Sequence, residues 1–335
     1  PRFTMRLWLG LCLLRVALTV DVLYPKLTKV STIVKLEEKH IRDPTTPIFD
    51  DELWHIWATV IDVPRGTAGY NGTVHHFYAK TLDGKWETSG QAISVDPNPA
   101  SFDHWATFTP SAVKNNGTWY LFYGGVPNDS PAHFESIGLA TSASAFGPWS
   151  KWQGNPIVTP SECAWCKDDA ARVDEAEPYV FQGRYTLIVK CVCSNFTALP
   201  TVFVPESTAS WAPPYHAETG PPLVLASATG HEKGFEQCRV YPGPDGLLHM
   251  LGNDHGDGNQ PHYVATDATA MAWRFVGDVP GGFGEAPHEP TPVIPIGGVP
   301  GDRGGVPTHF IQFSGNPLAI DLMHANWTLQ TSVSL

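Results

Sequence analysis

Five tryptophans, Trp86, Trp149, Trp211, Trp273 and Trp327, recur at steps of 63, 62, 62 and 54 residues. Indole is too large to place at random, so a regular series of this kind marks one anchor per repeated unit. Each of the first four follows a short strand-like stretch and a turn, at residues 75–80, 137–142, 201–204 and 262–266; the last follows residues 322–325. Ahead of each lies a second recurring unit, an apolar pair, a turn and then a strand that is aromatic or apolar. Its copies run from Ile48-Phe49 to Trp54 and Trp57, from Ala112-Val113 to Trp119 and Tyr123, and from Tyr179-Val180 to Tyr185 and Ile188. The last two run from Val240-Tyr241 to Leu248 and Leu251, and from Val293-Ile294 to His309 and Ile311. Alternating strands repeated five times, with no amphipathic helix between them, predict an all-β chain folded as a five-bladed β-propeller. Nothing reads as a linker, so a single domain is expected over residues 25–335, with Ile33-Val34 supplying the strand that closes the last blade.

Composition supports that reading. The 335 residues are 42% hydrophobic and only 16% charged, with 31 Gly and 31 Pro spread along the chain as turns between short strands rather than gathered into low-complexity tracts. The net charge of -12 would be repelled by nucleic acid or an anionic membrane, which argues against both as partners.

The compartment is written in three features. Met5-Arg6 and the apolar run at 7–14 read as a signal peptide over residues 1–20, with Pro1 to Thr4 as an artefactual extension before the Met. The run is too short to span a bilayer. Asn71, Asn116, Asn128, Asn195 and Asn326, five of the eleven asparagines, stand in N-x-S/T sequons. A secreted or lumenal glycoprotein is expected. In that oxidising setting Cys163, Cys166, Cys191 and Cys193 are expected as disulfides tying the 163–166 loop to the 191–193 segment rather than as zinc ligands, with Cys238 left as a free thiol.

A propeller gathers the first strand of every blade around its axis, so like positions in different blades face one another. Blades one and three share the frame D-x3-P-x6-W/Y, as Asp43…Pro47…Trp54 and Asp174…Pro178…Tyr185. Aligned on the prolines, blade two carries Ala106 at that place, and in blade four Glu236 falls near it. Three carboxylates converging on one cavity repel one another. Glycosidic cleavage gives a reason to keep them: one acid protonates the leaving oxygen, one carboxylate activates water, and a third tunes the acid.

The run Ile41-Arg42-Asp43-Pro44-Thr45, the stretch from Asn116 to Tyr123, and Ile137-Gly138-Leu139-Ala140-Thr141-Ser142 with Gly147-Pro148-Trp149 resemble glycoside hydrolase family 43 and its five-bladed clan, including family 32 and 117 relatives. The resemblance spans nearly the whole mature chain and implies an inverting glycosidase. It assigns Asp43 as general base, Asp174 as the residue that modulates the acid's pKa, and Glu236 as general acid. Glu232, beside His231, rivals Glu236, and Glu175 and Glu177 rival Asp174. Around these, Arg42, Asp103, His104, Trp105, Arg239 and His309 are candidate substrate-binding residues. The resemblance implies no required cofactor, allows a structural calcium in the central channel near His309, and implies a monomer acting on a carbohydrate of plant, algal or matrix type. The alternative is a sugar-binding propeller without hydrolase activity, because Glu236-Gln237-Cys238 departs from the family's usual Glu-Gly-Pro or Glu-Asp-Pro.

Overall fold

A computed structural model describes residues 19–62, 72–129, 135–163, 165–166, 170–181, 183–194, 198–207, 210–217, 235–254, 261–265, 273–279, 288–292, 306–314 and 319–334. These form five antiparallel sheets and one short 3-10 turn at Pro160–Glu162. Blade one contains β2 (His40–Arg42), β3 (Ile48–Asp50), β4 (Leu53–Ile61), β5 (Thr73–Ala79) and β6 (Glu87–Ile93). Blade two is built from β7 (Ala106–Asn115), β8 (Thr118–Val126), β9 (Ser136–Ser142) and β10 (Ser150–Lys151). Blade three comprises β11 (Ala170–Phe181), β12 (Arg184–Cys193), β13 (Ala198–Pro205) and β14 (Tyr215–Ala217). Blade four comprises β15 (Phe235–Pro242), β16 (Leu248–Asp254), β17 (Pro261–Ala265) and β18 (Trp273–Asp278). Blade five is closed by the N-terminal strand: β19 (His288–Pro292), β20 (His309–Ser314) and β21 (Ala319–Ser334) pair in order, and β1 (Thr19–Val34) forms the outer edge. The chain is therefore an all-β, five-bladed β-propeller.

Ile33 and Val34 do lie on the closing strand, which begins at Thr19, ahead of the domain start expected near residue 25. Of the leader expected at 1–20, residues 1–18 lie outside those described, and Thr19 and Val20 belong to β1. The repeat also explains its own irregularity. Trp86, Trp149, Trp211 and Trp273 stand just before or at the start of the fourth strand of their blades, whereas Trp327 lies inside β21, a third strand. The fourth strand of blade five comes from the other end of the chain, which shortens the last step.

The core lies between blades rather than in one centre. Ile48 and Trp57 of blade one pack with Ala112, Trp119 and Leu121 of blade two. Val113 and Phe122 pack with Leu187, Phe203 and Trp211 of blade three. Tyr179 and Ile188 meet Val240, Met250, Tyr263 and Trp273 of blade four; Tyr241 and Leu251 meet Phe310 and Met323 of blade five. Ile311, Ile320 and Leu322 close the ring against Ile41, Ile56 and Phe77. Apolar residues on both faces of each sheet are what a stack of blades demands; they bury the markers Trp211 and Trp273 and partly cover Trp86, Trp149 and Trp327.

The seam is also polar. Asp245 of blade four accepts from Leu23 N of β1 at 2.9 Å and from His249 Nε2 at 2.8 Å. His249 Nδ1 lies 2.8 Å from His262 Nε2, and His262 Nδ1 lies 2.6 Å from Gln330 Oε1 of β21. As expected, disulfides join Cys163 to Cys191 and Cys166 to Cys193, and Cys238 is a free, buried thiol.

Candidate active site

Every innermost strand carries a bulge at the same height. In blade two Phe108 pairs with Gly124 and the next registered pair is Ser111 with Phe122, two inner residues against one. Blade three does the same between Asp174 (opposite Lys190) and Glu177 (opposite Ile188). Blade four repeats it between Glu236 (opposite Asn253) and Arg239 (opposite Leu251), and blade five between His288 and Thr291. In blade one β2 ends at Arg42 opposite Thr59 and β3 resumes at Ile48 opposite His55, leaving residues 43–47 as a wider bulge. Bulges re-aim side chains and favour the surroundings of active sites.

Register therefore defines a ring of equivalent positions: Arg42, Phe108, Asp174, Glu236 and His288. Asp174 and Glu236 are indeed equivalent. The blade-two counterpart is Phe108, not Ala106 as the proline alignment had it, because Pro110 lies inside its bulge whereas Pro178 follows its own, opposite Leu187. Asp43 stands one step past the ring. Strand pairing sets it level with Thr109 and Glu175, although counting back from the hairpin ends Asp50 and Phe181 sets it level with Asp174; the wider bulge of blade one holds the extra residue. Asp43, Thr109 and Glu175 share a left-handed backbone, with φ of 52°, 42° and 55°. None is glycine, so each costs on the order of 1–3 kcal/mol that the surrounding strands must hold in place.

Arg239 ties these bulges together. Its guanidinium donates to Glu177 Oε2 at 2.7 Å and Ser111 Oγ at 3.3 Å, and to the main-chain oxygen of Pro44 at 3.1 Å. One side chain from blade four thus touches blades one, two and three. Burial raises the Glu177 pKa, and Arg239 opposes the shift. With Arg239, Ser111 and the Val240 N–H on its oxygens, Glu177 is committed to structure.

Asp43 is 1% exposed and receives Arg42 Nε on both oxygens, at 2.9 and 2.8 Å. Asp174 lies 3.1 Å from Arg172 Nε and 3.1 Å from Lys190 Nζ. Lys190 also holds Glu175 at 2.7 Å. The backbone of Glu236 is fixed by β15; its side chain, like all of His231 and Glu232, lies outside the described residues.

The remaining expected residues divide. Trp105 is 37% exposed and stands just before β7, at the strand end nearer the bulge. Asp103 is buried under Lys151, Tyr123 and Ser101, and His104 bonds the Asp96 carbonyl; both are occupied within the loop. His309 opens β20, the second strand of blade five, beside His324, so it does not stand on the innermost strand. Register gives that place to His288, which the sequence reading missed. Among the described residues no group of three or more His, Cys, Asp or Glu could hold a metal ion.

Two further residues escaped the sequence reading, Lys190 and Glu135. Lys190 is 2% exposed in the otherwise apolar run from Leu187 to Val192; a lysine inside such a run was the available signal. Glu135 precedes β9 and is 8% exposed.

No family model matches the chain. The chain is 28% identical over 138 residues to a probable arabinan endo-1,5-alpha-L-arabinosidase B of Aspergillus fumigatus; the match covers 41% of this chain and 35% of that relative. A family 117 glycoside hydrolase of Zobellia galactanivorans superposes with a TM-score of 0.71 at 14% identity, covering 92% of this chain and 91% of that one. The chain has the fold of the five-bladed glycoside hydrolases. A family 43 enzyme of Xanthomonas citri gives a TM-score of 0.62 at 14% identity over 91% and 94% of the two chains. For an endo-arabinase of Bacteroides thetaiotaomicron the values are 0.58 and 14% over 90% and 97%.

Proposed function

We propose that the chain is a secreted glycoside hydrolase that cleaves O-glycosidic bonds with inversion. The observation that carries this reading is the convergence of bulged inner strands on Arg239, which gathers the segments bearing Asp43, Asp174 and Glu236 around the axis. In this mechanism Asp43 accepts a proton from water as the water oxygen bonds to the anomeric carbon. The bond to the leaving oxygen breaks, and Glu236 gives that oxygen its proton. Exchange with solvent then returns the proton from Asp43 to Glu236. Asp174, paired with Arg172 and Lys190, stands at the ring position next to Glu236 and disfavours a second charge there. Trp105 supplies an exposed ring for stacking on a sugar.

The names of the similar proteins favour an arabinan or related plant, algal or matrix oligosaccharide as substrate. Two disulfides support secretion, as do sequon asparagines Asn116, Asn128 and Asn326, all exposed.

The test is a screen of aryl arabinosides, xylosides and galactosides with wild type, Asp43→Asn and Glu236→Gln. Loss of the base is expected to lower kcat by roughly 10²–10⁴-fold. Loss of the acid is expected to be severe on phenyl glycosides and mild on dinitrophenyl glycosides, whose leaving oxygen needs no proton. Activity unchanged by Asp43→Asn sinks the mechanism. Sugar binding by wild type without hydrolysis of any substrate identifies a binding propeller instead.

A further inference from the structure

We propose that Glu135 is a positioning residue that keeps a proton beside Asp174 and so spares the site a third negative charge, next to those of Asp174 and Glu175, at neutral pH; the role in catalysis rests on the hydrolase reading above. Glu135 lies in blade two, but its main-chain carbonyl accepts a hydrogen bond from Val173 N of blade three at 3.1 Å, one residue from Asp174. Its side chain is buried, within reach of the charges of Asp174, Glu175 and Arg172 of β11 and of Lys190 of β12.

These groups do not balance. Arg172 pairs with Asp174, and Lys190 bridges Asp174 and Glu175, whereas among the described residues Glu135 has no ion pair or side-chain hydrogen bond of its own. Among the described residues three carboxyls thus share two cations. A third ionised carboxylate would be a buried charge without a partner, and the group without a cation is the one that stays neutral. Burial, and then the charge of Asp174, push the Glu135 pKa up to about 8 against the opposing pull of Arg172 and Lys190.

The backbone makes room for this arrangement. A Cβ at Gly124 would lie 3.0 Å from Thr109 Oγ1, a tight approach, and 3.7 Å from Glu135 Oε2, ordinary contact, so a larger residue would press on Thr109 and touch Glu135. The Thr109 hydroxyl, on the strained bulge of blade two, is buried with no hydrogen-bond partner among the described residues. Gly124 is opposite Phe108, the blade-two member of the ring that holds Asp174 and Glu236. The carboxyl of Glu135 therefore sits at the height of the proposed chemistry.

At pH above the Glu135 transition a second negative charge appears beside Asp174, competes for Arg172 and Lys190, and alters the field at the general acid. Glu135→Gln mimics the neutral carboxyl and removes that transition. Its activity near pH 6.5 is expected within about twofold of wild type, whereas at pH 9 wild type should fall roughly tenfold below it in kcat/KM. A second readout does not depend on hydrolysis. The folded state keeps a proton that the unfolded chain releases above the carboxyl's ordinary value of 4.5, so wild type loses stability relative to Glu135→Gln as pH rises from 4.5 to about 8, and not beyond.

A stability difference that does not change with pH overturns the proposal. A stability difference that follows pH while the alkaline limb stays put overturns the role through Asp174. If wild type hydrolyses nothing, the hydrolase reading fails and the stability arm still decides whether Glu135 holds the proton. Should Glu135→Gln not fold, the carboxyl 13C titration of Glu135 in wild type takes its place: a midpoint near 8 supports the proposal, and one near 4.5 refutes it.

Discussion

At the residue scale, the acids of the site differ less in identity than in what touches them. Glu175 and Glu177 stand beside Asp174 in sequence and cannot be ranked against it there. In the structure Glu177 is filled by Arg239, Ser111 and Val240 N–H, and Glu175 is held by Lys190. Arg239→Met should be among the costliest single changes in the chain, because it leaves the Glu177 carboxylate buried without its cation. We expect a loss of about 3–5 kcal/mol in denaturant unfolding. The double variant Arg239→Met with Glu177→Gln should recover most of it. If the double variant is no more stable than the single one, the pair is not the source of the loss.

At the element scale, two blades carry a stacked histidine pair bridging their second and third strands. In blade one His55 Nδ1 lies 3.0 Å from His76 Nε2, His55 Nε2 lies 3.2 Å from the Asp50 carbonyl, and His76 Nδ1 lies 2.8 Å from Ser89 Oγ. Serine can donate, so both rings can be neutral. In blade four the chain runs from Asp245 to Gln330, whose amide nitrogen donates to the Asp278 carbonyl and so turns its oxygen toward His262. Both ends accept, and three hydrogen bonds across two rings then require three ring protons. Imidazole 15N spectra at pH 7 should show one doubly protonated ring in the blade-four pair and none in the blade-one pair; equal patterns would refute the count.

The same pairs set a response to acid. Burial, and then the neighbouring histidine, push His76 and His262 down to about 3. A neutral buried histidine opposes protonation that the unfolded chain accepts below about 6.5, so His76 and His262 each cost stability as pH falls from 6.5 toward 3. Calorimetric melting temperatures should drop over that range. His76→Asn should flatten part of the slope, and an unchanged slope would exclude the blade-one pair as its source.

At the scale of the whole molecule, the ring is held by interlocking layers between blades, by the N-terminal strand and by two disulfides. The bridged pairs are 28 and 27 residues apart, loops whose closure is worth about 3 kcal/mol each, with less for the second because the loops overlap. Reduction should lower the unfolding free energy by a few kcal/mol, and the midpoint with it, and destabilise blade three, where Cys191 and Cys193 belong to β12. A midpoint indifferent to reductant would show that the bridges add little to the packed blade.

The periodic features were legible because they are local. Tryptophan spacing, strand alternation, hairpin turns and the CxxC and CxC pairs each follow from residues close in sequence, and together they specify five blades, the disulfide grouping and the strand that closes the ring. The acids could be placed only approximately, because a bulge adds a residue without changing composition. Proline spacing could not show that Pro110 lies inside a bulge while Pro178 follows one, nor that Asp43 pairs level with Glu175. His309 drew notice through the family resemblance, whereas strand order moved the inner position of blade five to His288. What tertiary structure alone decided is the charge arrangement: Arg239 reaching three other blades, Lys190 between Asp174 and Glu175, and Glu135 brought to Val173 from a different blade. Those contacts join residues far apart in the chain, and their energies come from shared burial, which no single segment of sequence contains.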